Sequence, residues 1–198
     1  LPIRVRMIAF PATTAAGREP APWRAIRSGP VDRVEVSGVK YILDGTPIER
    51  LALHRRPYSD RPGWYGRANF SPDTVRVILQ EALASREQPL FHAAGDSAIA
   101  IVLDAMADLA PDSVWRRIRV RLEHADGLAP DQYELVRRLG IVVVQNPSHL
   151  TLGPMVSARY GAQRSRTYQP MRSLLDQGIM LALGSDGPTN PFLNLMFA

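Results

Sequence analysis

Cysteine is absent from this chain of 198 residues. Its absence excludes disulfide bonds, thiolate metal ligands and a cysteine nucleophile, so any metal must be held by nitrogen and oxygen atoms. Long hydrophobic runs are also missing, because no apolar stretch approaches the roughly 18–20 residues of a membrane-spanning helix. No secretory signal is recognisable. We therefore expect a globular protein without membrane association, and we expect it in the cytoplasm.

Lysine is nearly absent as well. Of the 24 basic residues only Lys40 is a lysine, and the formal net charge is +5. The arginines are scattered along the chain, and no basic run alternates with aromatic residues as a nucleic-acid groove requires. We therefore exclude nucleic acid as a partner and expect a small-molecule substrate. Assembly into a homo-oligomer stays open.

Short apolar runs alternate with amphipathic segments along the chain, which predicts repeated strand–helix units and a parallel sheet. Six strands are predicted, at residues 4–10, 34–43, 89–94, 118–123, 141–145 and 180–184. Helices are predicted at residues 71–85, 96–109 and 130–139, and a fourth helix ends at residues 172–177. The fold class is therefore α/β, with one domain over residues 1–198.

Residues 44–70 interrupt this alternation. The segment is rich in proline and glycine and contains the aromatic rings of His54, Tyr58 and Trp64. Long loops in compact domains usually have a function, so we interpret residues 44–70 as an active-site loop that covers a pocket. The alternative is a surface excursion packed by its own aromatic side chains. We interpret His54 as a structural residue of this loop.

Polar side chains lie at or just beyond the ends of five successive predicted strands: Lys40, His92, His124, His149 and Asp186. In parallel α/β architectures the carboxyl ends of the strands converge on one mouth, where barrels hold their active sites. Each residue alone is compatible with an ordinary structural role. Together, in a chain without cysteine, imidazole and carboxylate groups are a natural ligand set for zinc or another divalent cation. The pattern therefore predicts a metal site.

Two of these residues indicate specific chemistry. A neutral lysine amine can add carbon dioxide, whereas a guanidinium group cannot lose its proton. The carbamate formed on Lys40 could bridge two cations about 3.5–4 Å apart; the alternative is a solvated lysine at a strand end. Asp186 lies in a Gly-Ser-Asp-Gly-Pro turn. A carboxylate beside metal-activated water can act as general acid and base, and turn formation alone is the alternative.

The sequence around these residues resembles the amidohydrolase superfamily, and within it the YtcJ-like amidohydrolases related to N-substituted formamide deformylases. The resemblance covers about residues 33–191 and rests on six motifs that run in the family's order. They are Gly38-Val-Lys-Tyr-Ile-Leu-Asp-Gly, Pro57-Tyr-Ser-Asp-Arg-Pro-Gly, His92-Ala-Ala-Gly-Asp, Glu123-His-Ala-Asp, Gln145-Asn-Pro-Ser-His and Gly184-Ser-Asp-Gly-Pro.

This resemblance implies a partial, distorted (β/α)8 TIM-like barrel whose six strands correspond to the third through the eighth. It implies a divalent metal, which we expect to be zinc, with two ions in a complete site. The implied metal ligands are Lys40 (carboxylated and bridging), His92, His124 and Asp186, and the expected substrate-binding residues are His149 and, from the loop, Tyr58 and Trp64. Asp186 would also be the catalytic acid and base.

One family feature is missing, because no histidine precedes His54 and the paired His-x-His of the first strand is therefore not present. Six strands also do not close a barrel and leave two open edges. We therefore expect an incomplete catalytic barrel, poorly stable and inactive by itself.

In the parent protein, we expect a metal-bound hydroxide to cleave a C–N bond of an amide or formamide. Two alternatives stay open: a mononuclear deaminase of cyclic nitrogen compounds, and an inactive barrel fragment used for binding or assembly.

Overall fold

The computed structural model describes residues 4–11, 13–14, 17–18, 34–187 and 191–197. Its strands, in chain order, are β1 (Val5–Ala9), β2 (Thr13–Thr14), β3 (Gly17–Arg18), β4 (Val34–Ile42), β5 (Pro89–Ala93), β6 (Arg121–His124), β7 (Val142–Gln145) and β8 (Met180–Leu183). Its α-helices are α1 (Pro72–Ser85), α2 (Asp96–Leu109), α3 (Asp112–Ile118), α4 (Tyr133–Leu139), α5 (Gly153–Tyr160), α6 (Ala162–Ser165), α7 (Met171–Asp176) and α8 (Pro191–Phe197).

Six of the strands form one parallel sheet in the order β1-β4-β5-β6-β7-β8, and β2 pairs with β3 in a short antiparallel hairpin. Successive strands of the sheet are therefore neighbours, and helices connect them from β4 onward, as in repeated strand–helix units. The sheet curls into a half-barrel. This confirms the predicted α/β class and the six parallel strands.

The structure corrects the prediction for residues 118–123. Helix α3, which the sequence analysis did not predict, extends to Ile118, and Arg119 ends it in the left-handed conformation with a φ of 57°. Strand β6 consequently begins only at Arg121. The apolar residues Ile118 and Val120 suggested strand alternation, but the first of them closes a helix that packs against the core through Trp115.

Local sequence signals set the ends of the predicted helices. The Ser71 side chain accepts a hydrogen bond from the Thr74 backbone N–H at 3.2 Å, and Pro72 occupies the first turn of α1. Such a cap satisfies one of the free N–H groups at a helix start. Gly140 ends α4 with a φ of 68°, and a Cβ there would lie 2.7 Å from the Arg116 side chain. Glycine is therefore required at this position for two reasons.

The core lies between the sheet and the helices α1 to α4. All five residues of β5 are buried, which is typical of a central strand in a parallel sheet that is covered on both faces. Trp115 is fully buried, and its indole N–H donates to the Met106 carbonyl at 2.8 Å. This packing holds the carboxyl ends of β4 to β7 in fixed positions.

The two outer strands of the sheet are less covered. Met7 in β1 and Leu183 in β8 are each 42% exposed, and Met196 in α8 is 77% exposed. Apolar groups at these edges therefore face solvent in the part of the chain that the structure describes. None of the helices in that part is long and apolar enough to cross a membrane.

Candidate metal centre

The carboxyl ends of β5 and β6 bring two of the predicted residues together. His92 lies beside Ile42 in the strand register, and His124 lies beside Ala93. The rings of His92 and His124 are 4.4 Å apart between centroids, and both side chains are buried. Lys40 pairs with Leu90, two residues before His92. The positive charge of Lys40 lowers the pKa of both imidazoles.

Asp186 and His149 join the same group from β8 and from the segment after β7. An Asp186 carboxylate oxygen lies 3.7 Å from Nε2 of His124 and 3.7 Å from Nε2 of His149. The rings of His124 and His149 stack, with centroids 5.8 Å apart and planes 6° apart. Lys40, His124 and Asp186 also line one cavity of about 570 Å³. Residues that are 146 positions apart in sequence thus meet at one mouth.

Backbone strain accompanies this convergence. His124 has a φ of 72° and Asp186 a φ of 34°, values in the left-handed region that residues with a Cβ rarely adopt. Such strain is kept where the surrounding structure fixes it, and it concentrates at functional sites. The strained backbone at the end of β6 and in the turn after β8 therefore directs the side chains of His124 and Asp186 into the mouth.

Burial keeps the two central imidazoles neutral. It lowers the pKa of His92 to about 4, with the charge of Lys40 adding to the effect. Burial lowers the pKa of His124 to about 2, with further contributions from His92 and Lys40. A neutral imidazole has a free nitrogen lone pair, which is the form that binds a metal. Both imidazoles are therefore uncharged at neutral pH, as metal binding requires.

The hydrogen bonds of the two imidazoles fix the orientation of each ring. Nε2 of His92 is buried and has no hydrogen-bond partner among the described residues, while the Gly45 backbone accepts a hydrogen bond from the ring. Nδ1 of His124 accepts a hydrogen bond from Nδ2 of Asn146 at 3.1 Å, and Nε2 lies on the side of Asp186. For Nε2 to bind a metal, the ring proton must be on Nδ1, and a 180° turn of the Asn146 amide then lets its Oδ1 accept from Nδ1. Metal-binding histidines are oriented in this way by hydrogen bonds to their second nitrogen. The donor set fits a divalent cation.

Comparison with known proteins supports this interpretation of the centre. The model of the Amidohydrolase family matches residues 1–198. The chain belongs to the amidohydrolase family. Protein LONG AFTER FAR-RED 3 of Arabidopsis thaliana is 34% identical over 155 residues, which are 77% of this chain and 27% of that protein. YtcJ of Bacillus subtilis (strain 168), which carries an amidohydrolase name, is 31% identical over 165 residues, which are 83% of this chain and 30% of YtcJ.

Solved structures give the same family fold. An uncharacterized metal-dependent hydrolase from Pyrococcus horikoshii OT3 superposes with a TM-score of 0.73 at 26% identity, over 84% of this chain and 33% of that one. A second, from Pyrococcus furiosus, gives a TM-score of 0.71 at 26% identity, over 83% and 33%. This amidohydrolase chain therefore spans about a third of the length of these structures and less of the curated relatives. The predicted YtcJ-like resemblance is confirmed.

Two buried carboxylates of the centre were not singled out by the sequence analysis, although both lie in the quoted motifs. Asp126 is 2% exposed and accepts a hydrogen bond from the Gln169 side-chain amide at 3.0 Å. Ligand atoms of His124, Asp126 and His149 all lie within 4.8 Å of one another, and among the described residues this is the group of histidine and acidic side chains that comes close enough to hold a metal ion. Burial raises the pKa of Asp126 to about 6.

Asp44 is the second such carboxylate. It is fully buried, and burial raises its pKa to about 7. Its side chain accepts hydrogen bonds at 2.9 Å from the backbone N–H groups of Leu53, Ala94 and Gly95. Its nearer oxygen lies 3.8 Å from Nε2 of His92. Asp44 therefore ties the segment after β4 to the turn that follows the His92 strand.

The segment 44–70 lines a second, larger cavity beside the centre. This cavity has a volume of about 1060 Å³ and lies between residues 54–62 of the segment and residues 160–168. Asp126 lines it too, so the cavity adjoins the metal centre. Of the two aromatic residues predicted to bind substrate, the structure brings Tyr58 to the cavity wall, whereas Trp64 is not among the lining residues. The Trp64 indole donates to the Arg50 carbonyl instead.

His54 lies deep in the wall of this cavity. Its Nδ1 lies 3.0 Å from an Asp96 carboxylate oxygen, and its Nε2 lies 2.9 Å from the Tyr160 hydroxyl. A neutral imidazole that donates to Asp96 and accepts from Tyr160 satisfies both contacts. His54 thereby connects the loop to α2 and α5, as its interpretation as a structural residue requires.

These contacts predict a pH-dependent stability. Burial lowers the pKa of His54 below the ordinary 6.5, against the opposing effect of Asp96. The unfolded chain therefore gains a proton at a higher pH than the folded chain does, so stability is fully present above about pH 6.5 and falls as the pH drops below it. The free energy of unfolding can be measured by urea titration of the metal-free full-length protein between about pH 7.5 and 5.5. We expect it to fall less with decreasing pH in His54→Gln than in wild type. An equal fall in the two proteins would contradict the assignment of this pH dependence to His54.

Proposed function

We propose that the full-length protein is a metal-dependent hydrolase that cleaves a C–N bond, in an amide or formamide, of a small molecule. The observation that carries this proposal is the convergence of His92, His124 and Asp186 at one mouth, with both imidazoles buried and neutral. The amidohydrolase family and the structural similarity to metal-dependent hydrolases support it. The adjoining cavity of about 1060 Å³ supports a substrate of small-molecule size.

In this proposal the residues that would hold the divalent metal are His92, His124, Asp186 and a carboxylated Lys40, and we expect two ions in a complete site. We propose zinc, because imidazole and carboxylate ligands suit it. When bound, the metal supplies Lewis-acid activation of water and of the substrate carbonyl. The six strands would be the third to the eighth of a (β/α)8 barrel, and the remaining ligands would come from the other strands of the full-length protein.

The chain's own residues would move the protons. Asp186 is 54% exposed in its side chain, so it can reach both the attacking water and the leaving amine. It would accept a proton from the water and later deliver it to the amine, as a general base and then a general acid. His149, whose Nε2 lies 3.3 Å from the Asp186 carbonyl oxygen and 3.7 Å from the Asp186 carboxylate, would turn its Nε2–H from that carbonyl to the developing oxyanion.

Removal of the metal tests the proposal. We expect a chelator to lower formamide or amide hydrolysis by the full-length protein by at least about 100-fold, because Lewis-acid activation contributes several kcal/mol. Added zinc should restore the rate, and the restored protein should contain one to two metal ions per chain. Unchanged hydrolysis by protein with less than one metal per chain would overturn the proposal.

A further inference from the structure

Charged residues of both signs line the large cavity, and its carboxylates are Asp96, Asp126 and Asp131. Three arginines contribute to its wall: Arg55, Arg56 and Arg164. Arg55 forms an ion pair with Asp131 at 2.6 Å. Neither Arg56 nor Arg164 has a carboxylate within 4.0 Å in the described part of the chain. The cavity therefore has two cationic groups with no acidic partner of their own.

These two arginines are close to each other. Nη1 of Arg164 donates to the Arg56 carbonyl at 3.1 Å. Burial lowers the pKa of Arg164 against the opposing effects of Tyr160 and Asp96, and the neighbouring charge of Arg56 lowers it further. Like charges held together in a partly buried wall repel each other, and this repulsion is relieved when an anion binds between them.

The guanidinium group of Arg164 has an unused pair of donors. Nη1 is bonded, but Nε and Nη2 are buried and have no hydrogen-bond partner among the described residues. The same pair of donors in Arg50 binds the two oxygens of Asp60 at 3.0 and 2.8 Å. Two parallel N–H groups match the two oxygens of a carboxylate. The Tyr160 ring lies 4.3 Å from Cζ of Arg164 and supports the plane of the group.

We propose that Arg164 and Arg56 bind a carboxylate group on the substrate, so that the enzyme acts on N-acyl or N-formyl amino acids and similar acids. This inference rests on the proposed function, since it places the reacting C–N bond at the metal centre and the carboxylate in the adjoining cavity. Arg56 is exposed and meets the anion first. The Arg164 donors are covered, and a rotation about the outer bonds of this long side chain turns them to the anion.

Binding of simple acids tests the site without any catalysis. Titration calorimetry on the full-length protein compares hexanoate with its neutral counterpart hexanamide. We expect hexanoate to bind more tightly than hexanamide, and we expect Arg56→Gln and Arg164→Gln each to weaken hexanoate binding by about 10- to 100-fold. Arg164→Lys keeps the charge and loses the paired donors, so it should also weaken binding. Arg172→Gln, at an exposed ion pair, should leave it unchanged.

The reaction gives a second measurement. N-formylleucine and N-(3-methylbutyl)formamide differ only by the carboxylate, and the arginine variants should lower kcat/KM for the first compound and not for the second. Equal hexanoate binding by wild type and both arginine variants would overturn the carboxylate site, even if hydrolysis occurs. Selective loss of hexanoate binding together with no hydrolysis of any amide would support the site and overturn the proposed function instead.

Discussion

Replacement of Asp186 by asparagine is expected to lower kcat of the full-length protein by about 10²- to 10⁴-fold, the usual contribution of a general acid and base. The carboxylate lies 3.7 Å from both His124 and His149, in a strained turn that directs it into the mouth. The amide is similar in size and can still bind a metal through oxygen, but it cannot take or give the proton. KM should change much less than kcat.

Two measurements separate this role from a structural one. Metal held by His92 and His124 should be retained in Asp186→Asn, which elemental analysis shows directly. The matched variant Asp176→Asn changes an exposed aspartate on α7 that pairs with Arg172, and it should keep wild-type activity. If Asp186→Asn retains kcat within about tenfold of wild type, Asp186 is not the catalytic acid and base.

Replacement of Lys40 by arginine is expected to lower both the metal content and the rate. Arginine preserves the positive charge and nearly the length, but its guanidinium group cannot form a carbamate. If a carboxylated Lys40 bridges two cations, the variant should lose at least one of the two ions and about 100-fold or more in kcat. Lys40 is the only lysine in the chain, so no neighbouring lysine of the chain can replace it.

A crystal structure of the wild-type full-length protein gives the direct control. Electron density for a carbamate should extend beyond Nζ of Lys40 toward His92 and His124. Plain lysine density beside two bound metal ions would exclude the bridge and leave the imidazoles as ligands. Full metal content and activity in Lys40→Arg would exclude it independently.

Much of the fold could be predicted because its signals are local. Apolar runs separated by amphipathic segments predicted all six strands of the sheet, and the helices predicted at residues 71–85 and 130–139 end at the same residues as α1 and α4. The start of β6 could not be predicted in the same way. Alternating apolar residues near Trp115 belong equally to a short helix, and only packing decides between the two.

The same distinction between local signals and packing applies to the candidate metal centre. Residues at strand ends could be predicted to meet, since parallel topology alone brings Lys40, His92 and His124 to one mouth. The roles of Asp126 and Asn146 could not, because they depend on which side chains pack beside the imidazoles. A pocket beneath the segment 44–70 was predicted, but the opposite wall of the large cavity was not, because residues 160–168 carry no motif.

Hydrogen bonds attach the segment 44–70 to the rest of the protein at two points, and this has a consequence for substrate entry and product release. At one end Asp44 accepts hydrogen bonds from the backbone of Ala94 and Gly95, beside His92, and farther along Asp60 accepts one from Arg159 of α5. Swinging this segment outward would break several charge-assisted bonds and disturb a ligand strand at the same time. The segment therefore acts as a fixed wall. Substrate and product should enter and leave the cavity past this segment, at rates that do not depend on a hinge motion of the segment.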